Sequence, residues 1–336
     1  MTDFELLRNF ILRYSNLDEK ENVKKKLKKL EELLGKDIET FLKHYVLHKY
    51  GKKTDKNENR PYKVISAEEK LKGVTIALDD LLCKAAYYNK MTNYEDCTAL
   101  EKKIFSFFKR RRQQQFRPLV MGLMHQKDLN ALSQEEYDKY LEFLYEFFIC
   151  YHLIGEQTSN KIEDIVYGYS QRIENEFDVN MLKRFRKSMA ERIPNEENFC
   201  NSIKRVRYSS YWKAYSDARK AENVRAIFEI VERELGYEGS FDNMNIEHCM
   251  PDSIAEENAH IGNLMLIEKT LNDQCKNKPI DEKIQYYQNS ALKYPKLICS
   301  AFGDGEKSKF EYRSNEIAKI LYSRIKNVRK LDATTV

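Results

Sequence analysis

The sequence predicts a mainly α protein, with a multi-helix domain over residues 1–235 followed by a small α+β domain over residues 236–336. Three observations carry that expectation. The chain has only 11 glycines and 6 prolines in 336 residues, well under half the ordinary share of about 12%. Sandwiches, barrels and propellers use these residues at each reversal, so their scarcity points to long helices with short connections. Charged residues make up 33% and apolar residues 42%, enough to bury a core while keeping its surface wet. The scarcity is also uneven. Residues 236–336 hold 5 of the glycines and 3 of the prolines with a formal charge of −1, which leaves +6 on the rest. With domains of roughly 100–200 residues, the length favours two over one.

The helical part reads element by element. Thr2 and Glu5 form a capping box ahead of a face made by Phe4, Leu7, Ile11 and Tyr14. Val23–Leu34 is Lys-rich and amphipathic, and Gly35 is placed to cap its end. A charged run over 51–60 breaks at Pro61. Helical periodicity then covers about 66–90, 95–112, 117–125, 134–154 and 159–192. Tyr140–Ile154 is apolar nearly all round, which predicts the centre of a bundle. Pro194 follows another break. Val224, Ile227, Val231 and Leu235 make the last stripe, and Gly236 stops it.

Charge and cysteines bound the function. A net +5 permits a polyanionic partner without demanding one. The seven cysteines never approach within 13 residues of one another in sequence, so no C-x-x-C pair exists and a cysteine zinc cluster or redox motif is not expected. Their odd number and scatter predict reduced thiols in a cytoplasmic protein. The longest apolar stretch, Phe143–Ile154, is interrupted by Glu146 and is too short to span a bilayer, and the first residues lack the blocks of a signal peptide. No membrane association is expected.

The chemistry concentrates in three blocks: Ile246-Glu-His-Cys-Met-Pro251, Ala259-His-Ile-Gly-Asn-Leu-Met-Leu-Ile267 and Thr270-Leu-Asn-Asp-Gln-Cys-Lys-Asn-Lys-Pro279. Pro251 ends a strand carrying Glu247 and His248. Asn263 opens a short buried strand over Leu264–Ile267. Thr270 and Asp273 predict a capping box that places Asn272 in the first turn of a helix running to about Asn277. This strand, loop, strand, helix order suits phosphodiester hydrolysis, which needs a cation on an anionic phosphate and a base for water. Glu247 and Asn272 offer oxygen ligands for a hard divalent ion, Mg²⁺ or alternatively Mn²⁺. Histidine is the side chain whose ordinary pKa lies near neutrality, so His248 suits the base. Strand neighbours point to opposite faces, so a shared site would need a distorted strand end.

At these residues the sequence resembles the HNH (ββα-metal) nucleases, specifically the C-terminal nuclease domain of GmrSD-type restriction endonucleases. The blocks in register are Glu247, His248 and Pro251; Gly262, Asn263 and Leu264; Leu271 and Asn272; and Asn277, Lys278 and Pro279. The helix Asp281–Tyr287 with Glu282-Lys283, and Arg313-Ser314 with Ile317-Ala318, resemble the branch's closing elements. The resemblance implies His248 as general base, Glu247 and Asn272 as metal ligands, and Asn263 as a brace that orients His248. It implies a metal-dependent DNA endonuclease of a modification-dependent restriction or phage-defence system. Cys249 stands where a branched apolar residue is usual, and Asp252 replaces a common Gln, so the resemblance does not carry over a substrate contact at that position. Asp is also more frequent than Glu at the position of Glu247.

Upstream, Leu6–Ile11 and the region through Gly155–Thr158 resemble the middle of full-length GmrSD-like proteins, while nothing resembles the sensor's Asp-Gly-Gln-Gln-Arg motif. The chain is therefore expected to be a separate nuclease subunit, or a truncated protein, working with a nucleotide-hydrolysing sensor. The competing expectation is a catalytically inactive module that binds nucleic acid or a partner, and a third is a nuclease toxin.

Secondary candidates are weighed in the same way. Lys278 is placed for phosphate contact. His260 is a possible phosphate ligand, although a loop-bonding role is the simpler reading. His44 and His48 share an i, i+4 spacing without a neighbouring carboxylate. Lys109–Arg112 is the densest basic cluster and suits either DNA backbone or a solvated face. Lys204–Lys213 interleaves basic and aromatic residues, which suits helix packing more than base stacking.

Overall fold

A computed structural model describes residues 1–55, 57–72, 74–302, 305 and 309–326. The protein is mainly helical with one small two-stranded sheet, and it divides into two compact units. The first comprises Met1–Tyr145 with Ser159–Ser188, the second Glu146–Thr158 with Met189–Val336.

In the first unit the capping box at Thr2 forms as the sequence predicts, and a second forms at Thr98 with Glu101. Helix Lys20–Leu34 buries Val23, Leu27, Leu30 and Leu34 and turns its lysines outward. It ends at Gly35, whose φ of +46° suits a residue without a side chain. The pattern expected over 66–90 starts earlier and is carried by Pro61–Lys72 and Val74–Asn93. Pro61 takes the first helical position, where a missing N–H costs nothing. The pattern over 159–192 is two helices, Asn160–Asn175 and Val179–Ala190. Asp178 divides them, because its carboxylate accepts the Asn180 amide at 3.1 Å and so offers the backbone a turn in place of a helix. Gly122 allows a close approach: a Cβ there would lie 2.9 Å from Ile173 and 3.0 Å from His48.

The second unit starts well before Gly236, where the composition changes. Helix Ala218–Glu234 buries Val224, Ile227 and Val231, the expected stripe, and is compact with the sheet. Arg225 donates to the carbonyls of Phe241 and Met244 at the entry to the first strand. Glu232 accepts the amides of Lys293 and Tyr294 at 2.7 and 2.9 Å and so caps helix Tyr294–Ala301. The segment 146–158, with the end of helix Gln134–Phe148 and the helical stretch Ile149–Ile154, joins this unit through Glu146, which Arg324 grips at 2.6–2.9 Å. These ties involve polar groups far apart in sequence, and a change in glycine content does not register them.

The sheet pairs β1 (Met244–His248) with β2 (Leu264–Glu268), antiparallel, from Met244↔Glu268 to His248↔Leu264. Leu264, Met265, Leu266 and Ile267 are all buried, so β2 is covered on both faces and reads as a continuous apolar run. Helix Lys269–Cys275 follows β2 without a loop. The capping box expected from Thr270 and Asp273 does not form, because Glu268 is the N-cap residue and makes no side-chain cap. Its carboxylate instead accepts Ser290 Oγ at 2.7 Å and the Ala291 amide at 2.6 Å. The helix also stops at Cys275, short of Asn277, where Lys276 turns to φ +44°.

Candidate functional site

The end of β1 delivers the two central residues. Its pairing is regular to the last pair, so Glu247 and His248 project to opposite faces, and the expected distorted strand end is absent. The two residues share a strand end rather than a contact, and each has its own partners.

Glu247 is buried. Its Oε1 accepts Lys283 Nζ at 2.7 Å and the Tyr287 hydroxyl at 2.9 Å. Its Oε2 accepts Asn272 Nδ2 at 3.2 Å, and the same nitrogen lies 3.2 Å from the Ile246 carbonyl. Asn272 thus spends its donor on β1 and Glu247, leaving Oδ1 as its acceptor. Lys283 also donates to the His248 carbonyl at 2.7 Å, which fixes the strand at the junction of the two residues. Burial, with Cys249 and Glu247 close by, raises the Tyr287 phenol, which therefore stays a donor.

His248 faces the other way. Its Nε2 lies 3.0 Å from the Tyr208 carbonyl. A carbonyl can only accept, so Nε2 carries the proton and Nδ1 of the neutral ring holds the lone pair. Nδ1 has no hydrogen-bond partner among the described residues. The Tyr208 ring stacks on the imidazole at 6.0 Å between centroids, and Asp252 Oδ2 stands 3.8 Å from Nε2.

Asn263, fully buried, braces the loop after β1. Its Oδ1 accepts the Met250 amide at 2.8 Å, and its Nδ2 donates to the carbonyls of Met250 (2.8 Å) and Asn258 (2.7 Å). It does not touch His248; any effect on it passes through the backbone. Gly262 before it has no room for a side chain, because a Cβ would overlap the Phe310 carbonyl.

Residues 194–320 match the GmrSD restriction endonuclease C-terminal domain. The match covers less than half the chain and lies inside the second unit. It ties that unit to restriction endonucleases, enzymes that act on DNA. No curated protein matches the chain as a relative.

Within residues 194–320 the remaining candidates separate. His260 Nδ1 accepts the Gly262 amide at 3.0 Å, and its ring stacks on Phe310. Burial, helped by Arg207 and Arg313, pushes its pKa down to about 4, so it is a neutral loop-bonding histidine. Lys278 donates to the Tyr286 hydroxyl at 2.7 Å and lies over that ring, with no contact to Glu247 or His248. Cys249 is buried and burial pushes its thiol up to about 11, which makes it a packing residue. The segment after Lys204 is not a helix: Tyr208 covers His248, Trp212 donates to the Asp252 carbonyl at 2.6 Å, and Tyr211 is exposed.

Asp252 has a definite task. Its Oδ2 accepts Ser209 Oγ at 2.7 Å and the amides of Ser210 and Tyr211 at 3.1 and 3.3 Å. Burial opposes ionisation, but the Ser209 bond and those amides, with His248 adding to them when it is protonated, outweigh it and hold the carboxyl below its ordinary value. Asp252 therefore fixes the loop whose Tyr208 carbonyl orients His248. Sequence reading missed this, and it missed Lys283 and Tyr287 as partners of Glu247. The usable signal was the i, i+4 spacing of Lys283 and Tyr287, which puts both on one face of helix Ile280–Gln288.

The histidine candidates of the first unit are absorbed by its own structure, whereas Lys109, Arg110 and Arg112 of the basic cluster are exposed. Lys109 donates to the Thr92 carbonyl at 2.7 Å and lies over Tyr94. His44 Nδ1 meets the Tyr88 hydroxyl at 3.0 Å, while His48 meets Glu174 and Ser170, so the pair has no common ligand position.

For a metal, the described residues contain no group of three His, Cys, Asp or Glu suited to one. What Glu247 Oε2 and Asn272 Oδ1 provide is a pair of oxygen donors. That fits a hard ion that keeps most of its waters and does not fit zinc.

Proposed function

We propose that the second unit is a metal-dependent HNH DNA endonuclease and that the chain supplies the nuclease part of a GmrSD-like, modification-dependent restriction system. The observation that carries this reading is the fixed tautomer of His248 at the strand end that also carries Glu247, on the opposite face from the two oxygen donors. Tyr208 and Asp252 hold the proton on Nε2, so Nδ1 takes the proton from an attacking water. The Asp252 carboxylate, 3.8 Å from Nε2, then favours the imidazolium that forms. Glu247 and Asn272 would hold Mg²⁺ or Mn²⁺, which when bound would polarise the scissile phosphate. Asn263 keeps the loop after β1 in one conformation, so His248 is presented without reorganisation. The seven free cysteines suit a reducing cytoplasm. No helix among the described residues is long and apolar enough to cross a membrane. A nucleotide-hydrolysing sensor is the expected partner, as a subunit or as a further domain.

A second reading is favoured by one observation: Lys283 and Tyr287 already occupy one Glu247 oxygen, as in a vestigial site that binds without cutting. Plasmid incubated with the protein and Mg²⁺ or Mn²⁺ separates the two, with EDTA and His248→Ala as controls. Metal-dependent cleavage lost in the variant supports the nuclease. Absence of cleavage with every metal, or equal cleavage by His248→Ala, sinks the nuclease reading.

A further inference from the structure

The least expected group at the site is Lys283. It is 1% exposed, its Nζ is 2.7 Å from Glu247 Oε1, and Tyr287 shares that oxygen. The charges of Glu247 and Lys283 cancel in a buried setting before any ion arrives. A divalent ion on Glu247 Oε2 would meet one carboxylate at contact and one ammonium on the far side of the same carboxylate. In a poorly screened site the repulsion offsets much of the attraction. Among the described residues no group of three His, Cys, Asp or Glu is gathered here to make up the deficit. Asn272 contributes a dipole and no charge. The missing negative charge has to come from outside the protein.

We propose that Lys283 is a positioning residue that acts through Glu247 as a resident counter-ion and makes cation binding conditional on a phosphodiester. This rests on the nuclease reading and adds an order of events to it. Without DNA, Lys283 satisfies the buried carboxylate and keeps Oε2 turned towards Asn272, and the site holds a divalent ion weakly. A phosphodiester monoanion at the site supplies the charge that Lys283 has cancelled, and the ion then binds. Coupling of this kind is reciprocal, so the ion tightens phosphate binding by the same factor.

The test reads metal affinity, not cleavage. Mn²⁺ binding to the full chain is measured by electron paramagnetic resonance, with saturating dimethyl phosphate or with chloride at equal ionic strength. The wild type should bind Mn²⁺ about tenfold or more tightly with dimethyl phosphate, within the usual range of coupling between two sites. Lys283→Met should bind Mn²⁺ about tenfold more tightly than wild type in chloride and lose most of the response to phosphate. Lys283→Arg, which keeps the charge, should behave as wild type. Equal wild-type affinity with and without dimethyl phosphate overturns the proposal, as does a folded Lys283→Met that binds Mn²⁺ no better in chloride. If Lys283→Met does not fold, the wild-type and Arg arms decide. Plasmid cleavage without this coupling sinks only the counter-ion role. Absence of both Mn²⁺ binding and cleavage sinks the nuclease reading itself.

Discussion

Each unit buries a glutamate with a lysine and places a histidine beside it, and the two clusters differ in what they leave unused. In the first unit, Glu174 Oε2 accepts His48 Nε2 at 3.1 Å and Lys84 Nζ at 2.7 Å, and its Oε1 accepts Lys49 at 3.2 Å. His48 Nδ1 meets the Ser170 hydroxyl at 3.0 Å, so both ring nitrogens are occupied. Burial would raise the Glu174 pKa, but His48 and Lys84 outweigh it and hold the carboxyl far below the usual range. In the second unit, Glu247 Oε2 has only a 3.2 Å amide donor, and His248 Nδ1 has no partner among the described residues. Burial and charge pairing are common to both clusters and mark neither as a site. Acceptors left unfilled at the end of a short strand distinguish the second.

Mutations can break this comparison, and the largest expected effect is on chemistry. His248→Ala should lower metal-dependent cleavage by about 10²–10⁴-fold, the usual contribution of a general base, with little change in Tm. A variant that cuts as well as wild type would put the two histidines on the same structural footing. Next is Glu174→Ala, which leaves Lys84 buried and unpaired. It should destabilise the first unit by about 3–5 kcal/mol in urea unfolding, whereas a surface ion pair would cost under about 1. A small effect would mean that the cluster is far less isolated from water than Lys84 and His48 indicate.

Gly262→Ala should cost about 1–3 kcal/mol, because the new methyl must displace the Phe310 backbone. Since Asn263 adjoins it, cleavage should fall in parallel, and a loss of stability with full activity would detach the brace from the site.

The smallest effect is a pH slope. Burial, with the nearby Arg117 and Lys43 charges, pushes His44 down to about 3, while an unfolded histidine takes its proton near 6.5. Between those values the unfolded chain binds more protons, so first-unit stability should fall as pH drops from about 6.5 towards 3. His44→Gln should flatten that slope in urea unfolding at several pH values. An unchanged slope would place the acid sensitivity in other groups, such as the depressed carboxylate of Glu174, whose contribution is also lost on acidification.

Much of this was legible in order of residues. The Thr2 capping box, the stop at Gly35, the stripe from Val224 to Val231 and the buried run at Leu264 are local patterns, and periodicity and capping chemistry report local structure directly. Some local readings failed. The Thr270 capping box lost to a strand that runs straight into its helix, and the helix over 159–192 was divided by the side chain of Asp178. The extent of the second unit was not visible, because Arg225, Glu232 and Arg324 make it through contacts between distant segments.

The sequence by itself determined the helical scaffold, the place of the strand pair and the short run of residues around Glu247, His248, Asn263 and Asn272, because spacing sets which residues share a strand end or a helix turn. Only the tertiary structure decided what those residues can do. Tyr208, 40 residues before His248, selects its tautomer, and Lys283, 36 residues after Glu247, pairs its ammonium with that carboxylate. Proton position and net charge depend on the partner across space, and no period in the chain encodes that partner.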